Sequence, residues 1–194
     1  MPLQEEMEEQ GNLLFRYRSN LPLIILVVGL VVHLYSVYIS TEELPYENLY
    51  QLLCLGTCLF GLVIRIMTVG HTPKNTSGRN TAEGQVADQV NTTGIYSLVR
   101  HPLYVGNFFM WLGIAMLTHN TWFSIAFTFA YWVYYERIMF AEEQFLRGKF
   151  GEKYLIWAST VPAFVPNSLA LTKNKYPFSW KKVLRQEKNG FAAI

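Results

Sequence analysis

With 194 residues the chain is the size of one domain, and its net charge of +2 comes from only 15% charged residues, against about 25% in an average soluble domain. So small a net charge, with no basic stripe interleaved with aromatics, argues against nucleic acid as a partner. Half of the residues are apolar. They fall in long blocks, and the charges sit between the blocks.

Residues 1–10 are acidic rather than basic, and no small-residue cleavage site follows the first apolar block, so that block is expected to stay in the protein. It covers residues 21–39 and is broken in polarity only by His33 and Ser36. That length suffices to cross a hydrocarbon core of about 30 Å, whereas a soluble amphipathic helix would show a charge every third or fourth position. The second block, residues 49–69, holds one charge, Arg65, a turn from its end, where the side chain can reach the headgroups. Cys54 and Cys58 share a helix face within it. They fit a helix–helix contact better than a metal or redox pair, because no third or fourth ligand is near.

The third block, residues 103–117, follows Pro102, which suits the first turn of a helix. The fourth starts at Thr121, is apolar and aromatic to Ala141, and can stay helical to about Lys149. Only His119 and Asn120 separate the two, which predicts an antiparallel helical hairpin. Trp111, Trp122, Trp132 and Trp157 read as packing or interface residues, any of them able to line a lipid slot. The expected architecture is an all-α integral membrane protein with about four transmembrane helices. Two spans and a polar loop occupy residues 1–93, a core occupies 94–167, and a basic, aromatic tail suited to anionic headgroups occupies 168–194. Lys and Arg are absent from residues 41–48 and 118–120. The positive-inside rule therefore places both termini and the loop 70–102 in the cytoplasm, and a bacterial inner membrane is the expected location.

Two polar clusters lie against these blocks. Arg100 and His101 precede Pro102, at the N-terminal mouth of the third helix, where free backbone N–H groups and the dipole favour an anion. Gly106, four residues after Pro102, permits close approach of a backbone or ligand. The alternative for this cluster is a simple headgroup anchor. Glu136, Arg137, Glu142 and Glu143 form the second cluster, at the end of the fourth block, where carboxylates are costly unless paired or solvated. Both clusters end on one membrane side, so they can face each other across one pocket, cationic donors opposite carboxylates. Such a pocket suits a zwitterion.

The ordered set Gly94-x-Tyr96-x-x-x-Arg100-His101-Pro102-x-Tyr104-x-Gly106, a helical hairpin, Glu142-Glu143-x-x-Leu146, Phe150-Gly151-x-x-Tyr154 and Val161-Pro162-x-x-x-Pro166 resembles the isoprenylcysteine carboxyl methyltransferases and the related phospholipid methyltransferases. The resemblance covers about residues 90–167. It implies an integral-membrane enzyme that takes S-adenosylmethionine in a pocket open to the cytosol and a lipid substrate through a lateral opening. Carried over by position, it puts His101, Tyr104, Glu142 and Glu143 on the cofactor, with Gly94, Tyr96, Pro102 and Gly106 completing the pocket. Arg100 and Glu143 are its catalytic residues, Arg100 orienting the acceptor and Glu143 serving as base if the acceptor is an amine. His71, Arg79 and Arg137 are expected on the substrate side. The loop 70–93 departs from the family pattern, and its Lys74 and Arg79 favour an anionic lipid headgroup, phosphate or carboxylate, over a prenylcysteine. Two other readings stand beside this one. An NADPH-dependent reductase of the sterol type would need more basic residues than Arg100 and His101 supply. A non-enzymatic accessory membrane protein would not depend on His101 or Glu143.

Overall fold

The computed structural model describes residues 2–18, 20–39, 46–73, 80–81 and 84–192. Lys74 and Arg79 lie outside the described residues. The helices are α1 (Leu3–Tyr17), α2 (Asn20–Ile39), α3 (Glu47–His71), α4 (Pro102–Met116), α5 (Thr121–Phe150), α6 (Glu152–Thr160), α7 (Trp180–Gln186) and α8 (Lys188–Ala192). A 3-10 turn covers Gly94–Ser97, and Asn80–Thr81 pairs antiparallel with Gly84–Gln85. The four apolar blocks are α2 to α5, each bounded within a turn of its expected ends.

Among the described residues, one helix, α3, is long and apolar enough by itself to cross a membrane; the apolar stretch Leu23–Ser36 of α2 and the whole of α4 are shorter. Only 33% of the apolar window of α3 is buried; Leu49, Leu52, Leu53, Leu55 and Leu59 face outward, while Leu62 is buried. Leu23, Ile24, Val27, Leu30, Val31 and Leu34 of α2 are exposed as well. Soluble chains avoid a continuous apolar exterior on this scale, and a bilayer accepts it. By length and composition, then, one of the four expected spans is seen directly.

The closest seam is α3 on α4, and small residues make it. A Cβ added to Gly61 would lie 2.4 Å from the Gly106 carbonyl oxygen, and one on Gly113 would lie 2.4 Å from Cys58 Sγ. Helices in lipid associate through this kind of close backbone contact, because lipid removes the hydrophobic drive between them. Cys58 Sγ lies 3.2 Å from the Met110 carbonyl oxygen and Cys54 is fully buried, so both cysteines are packing residues. The α4–α5 hairpin is as expected, with Asn120 Oδ1 accepting from the Phe123 N–H at 2.9 Å to cap α5.

Helix α1 was not expected. Gly11 sits on the Arg137 backbone and Ala141 of α5, and the Tyr134 hydroxyl donates to the Leu14 carbonyl at 3.2 Å. Phe15 enters the aromatic core of Tyr104, Phe127, Tyr131, Tyr135, Ile138 and Met139. At its other end α5 stops at Gly151, whose φ of +55° suits glycine and turns the chain into α6. That turn carries Tyr154 and Trp157 back toward the start of α4.

Candidate functional site

The segment before α4 is held in place by the backbone after α6. The Arg100 N–H donates to the Pro162 carbonyl at 2.9 Å and the His101 N–H to the Ala163 carbonyl at 3.1 Å. These bonds fix Arg100 and His101 at the mouth of α4 with Pro102 in the first turn, as the sequence implies. Glu142 and Glu143 come from α5, one turn past Ile138, which is fully buried.

The two clusters meet, but not as opposite walls of an open pocket. They pair with each other. Arg100 Nε and a terminal guanidinium nitrogen bond the two Glu143 oxygens at 2.9 and 3.2 Å, and His101 Nε2 lies 2.8 Å from Glu143 Oε1. His101 Nδ1 is 3.6 Å from Glu142, which also accepts the Tyr104 hydroxyl at 3.0 Å. The remaining terminal nitrogen of Arg100 donates to the carbonyls of Ala158 at 2.5 Å and Val161 at 2.9 Å. Carboxylates this close to apolar surroundings need such partners, which is why the charges close on each other.

The electrostatics follow from that pairing. Burial works to lower the His101 pKa, but bonds to Glu142 and Glu143 and their charges outweigh it and raise the value above the ordinary one. Burial works to raise both glutamates, but His101, joined by Tyr104 and Arg18 at Glu142 and by Arg100 at Glu143, holds each below the ordinary carboxylate value. Burial, reinforced by Glu142, pushes Tyr96 up. Both carboxylates are therefore ionised at neutral pH, and His101 holds its proton to higher pH than an ordinary histidine.

A narrow cleft, with a cavity volume of about 20 Å³, lies beside this unit, lined by Gln89, Val90, Asn91, Tyr96, Arg100, His101, Glu142, Leu146, Tyr154 and Trp157. Among the described residues the buried Trp157 indole N–H has no hydrogen-bond partner, and the Tyr154 hydroxyl lies buried near Glu143 without a well-formed bond. Buried donors left open cost about 1–3 kcal/mol each, and they suit a ligand that carries acceptor atoms. With Glu142 on the same wall, the lining offers partners to a molecule bearing both cationic and acceptor groups.

Of the residues expected here, Tyr96, Arg100, His101 and Glu142 line the cleft, while Glu143 and Tyr104 brace them from behind. Gly94 and Gly106 face elsewhere: Gly94 packs on Asn174, and Gly106 belongs to the α3–α4 seam beside Gly61 and Arg65. His71 bonds the Tyr176 carbonyl at 2.8 Å, and Arg137 bonds Gln10 of α1 at 2.8 Å, so neither is brought to the cleft. Arg79 lies outside the described residues. The sequence reading missed Gln89, Val90 and Asn91, which come from irregular chain, and took Trp157 for a packing residue.

A second, wholly apolar groove of about 320 Å³ lies between α4 and α5, lined by Phe108, Thr128, Phe129, Tyr131, Trp132 and Phe164. Phe164 directly follows the carbonyl that holds His101, and the Tyr131 hydroxyl donates to the Tyr104 carbonyl at 2.6 Å. One layer of tyrosines thus separates the groove from the charged unit.

Similar proteins bear on this arrangement. A protein-S-isoprenylcysteine O-methyltransferase of Schizosaccharomyces pombe is 31% identical over 61% of this chain and 50% of its own length. One from Xenopus laevis is 30% identical over 66% of this chain and 46% of its own. The chain therefore spans about half the length of these curated relatives. The solved structure of the eukaryotic intramembrane Ras methyltransferase ICMT (isoprenylcysteine carboxyl methyltransferase) superposes with a TM-score of 0.59 at 23% identity, covering 74% of this chain and 51% of that one, and so shares the fold. Residues 49–153, which hold the α3–α4 seam, the hairpin and both charged clusters, match the phospholipid methyltransferase family, and the chain belongs to that family.

Proposed function

We propose that the chain catalyses S-adenosylmethionine-dependent methyl transfer to an anionic oxygen, carboxylate or phosphate, on a membrane-embedded lipidic acceptor. The observation that carries this reading is the paired unit of Arg100, His101, Glu142 and Glu143 beside a cleft with open donors. When bound, S-adenosylmethionine supplies an electrophilic methyl group on its sulfonium. Glu142 suits its cationic groups; Trp157 and Tyr154 suit its acceptor atoms. His101 and Tyr104 hold Glu142 ionised and in place, and Arg100 orients the acceptor's anionic group.

The choice of an anionic oxygen rests on proton bookkeeping. An amine acceptor arrives protonated and needs a base whose pKa lies near the working pH. Glu142 and Glu143 are held below the ordinary carboxylate value, which makes them poor bases. A carboxylate or phosphate arrives ionised, so the protein needs only to align it with the methyl group, and alignment alone lowers such barriers substantially. The relatives named for O-methylation of isoprenylcysteine fit the same logic. The apolar groove beside Phe164 suits the acceptor's hydrocarbon chain, within the size range of ligand pockets. In this reading α2, α3, α4 and residues 121–141 of α5 are four spans, Glu142 and Glu143 lie beyond the last of them, and the cleft and both termini face the cytoplasm.

The test is transfer of a labelled methyl group to three lipid acceptors presented in bilayers: an isoprenylcysteine with a free carboxylate, a lipid phosphate and an amine phospholipid. Label is expected on the carboxylate or the phosphate lipid. Label confined to the amine lipid would overturn the reading.

A further inference from the structure

The C-terminal segment lies beyond the part of the chain that matches the family, yet it is strapped across the outer side of the cleft wall. Its backbone N–H groups at Thr172 and Lys175 donate to Ser97 Oγ at 3.0 Å and Thr93 Oγ1 at 3.2 Å. The Asn174 side chain covers Gly94, whose φ of +64° and lack of a Cβ make room for it. Further on, the Ser179 N–H donates to the Gly70 carbonyl at 3.0 Å and the Phe178 ring packs on Gly70. Lys182 bonds the Thr72 and Pro73 carbonyls. The strap ends in an anchor: Glu187, 1% exposed, takes two bonds from Arg65 at 2.7 and 2.8 Å, and Val183 is fully buried.

What the strap grips is the segment that gives Gln89, Val90, Asn91 and Tyr96 to the cleft. That segment is irregular apart from the Gly94–Ser97 turn. Irregular chain with few buried contacts opens locally at low free energy. One strap residue reaches a cleft-lining side chain directly. The Tyr176 hydroxyl donates to Gln89 Oε1 at 2.9 Å, while the Tyr176 carbonyl is fixed by His71 at 2.8 Å. The tyrosine is therefore held at its backbone by α3 and holds the cleft wall at its tip.

We propose that Tyr176 is a positioning residue for the cleft: through Gln89 it sets the wall 89–91 in its binding geometry before the ligand arrives. Pre-setting a wall removes the ordering cost from the binding step, so the contact acts on affinity and leaves the transfer step alone. The identity of the ligand, S-adenosylmethionine, rests on the proposed function; the effect on the wall does not.

The experiment uses the full chain in detergent, as wild type, Tyr176→Phe, Gln89→Leu and the double variant. Hydrogen–deuterium exchange without ligand reads the wall itself. Exchange over residues 89–97 is expected to rise in Tyr176→Phe while exchange over α3 stays at the wild-type level. S-adenosylmethionine should then bind roughly threefold to tenfold more weakly, the range one neutral hydrogen bond sustains, with KM raised and kcat unchanged. The two single changes should not add in the double variant. Wild-type exchange over 89–97 in Tyr176→Phe, or a rise spread evenly over the chain, would overturn the proposal. If wild-type protein binds no S-adenosylmethionine, the proposed function fails, and the exchange result still decides the role of Tyr176.

Discussion

Replacing Glu143 by Gln changes the centre of the charged unit while keeping its shape. Glu143 Oε1 accepts from both Arg100 Nε at 2.9 Å and His101 Nε2 at 2.8 Å, and an amide oxygen can keep both contacts. Oε2 accepts from Arg100 at 3.2 Å, and there the amide NH₂ would meet another donor. The charge is lost as well. Hydrogen bonds to charged groups contribute about 1.5–3 kcal/mol each, and removing one partner of a fully buried pair costs about 3–5 kcal/mol. Arg100 and Glu143 are 17% and 24% exposed, and Arg100 keeps the Ala158 and Val161 carbonyls. These offsets bring the expected loss to about 2–3 kcal/mol, by the same two ranges. For a chain of this size that lowers the apparent Tm by about 4–12 °C. Thermal unfolding in detergent, followed by tryptophan fluorescence, reads it. A cycle with His101→Gln should show coupling of about 1 kcal/mol or more, since the two residues touch. An unchanged Tm with additive single effects would refute the account of the unit as one paired structure.

Other consequences are open to measurement. The unit's stability contribution is fully present between the ordinary glutamate value of 4.5 and the ordinary histidine value of 6.5. It falls as pH drops through the lowered glutamate values and as pH rises through the raised His101 value. A pH series of Tm should show both limbs, and His101→Gln should flatten the alkaline one; an unaltered alkaline limb would contradict it. Gly113→Ala places a Cβ 2.4 Å from Cys58 Sγ and 2.6 Å from the Cys54 carbonyl oxygen. It should destabilise by about 1–3 kcal/mol as an overpacked seam, whereas Gly56→Ala, with nothing among the described residues within 4 Å, should lower Tm far less in the same assay. Arg100→Lys keeps the charge but loses the planar fork that reaches Glu143 and two carbonyls at once, so it should behave more like Arg100→Ala than like wild type in transfer assays.

The parts legible in the sequence are those with a local signature. Uninterrupted apolar blocks delimit α2 to α5 closely, and Pro102 marks the start of α4. Arg100, His101, Glu142 and Glu143 stand out because charge beside such blocks needs an explanation. The pairing of these four with one another was hidden, because sequence shows that charges meet at one end but not whether they face a ligand or each other. Helix α1 has a legible signature of its own: Met7, Gly11, Leu14 and Phe15 recur at helical spacing, with Glu5, Glu6 and Glu9 outside that stripe, but the acidic run masks it. The contact between Gln89 and Tyr176 bridges irregular segments 87 residues apart and leaves no periodic trace.

The central claim is that the cleft beside the charged unit takes S-adenosylmethionine. Calorimetric titration of the purified full chain in detergent with S-adenosylmethionine, and separately with NADPH, tests it most directly. The account predicts saturable binding of S-adenosylmethionine, weakened in Glu142→Gln, and no binding of NADPH. Binding of NADPH alone, or of neither by well-folded protein, would contradict it.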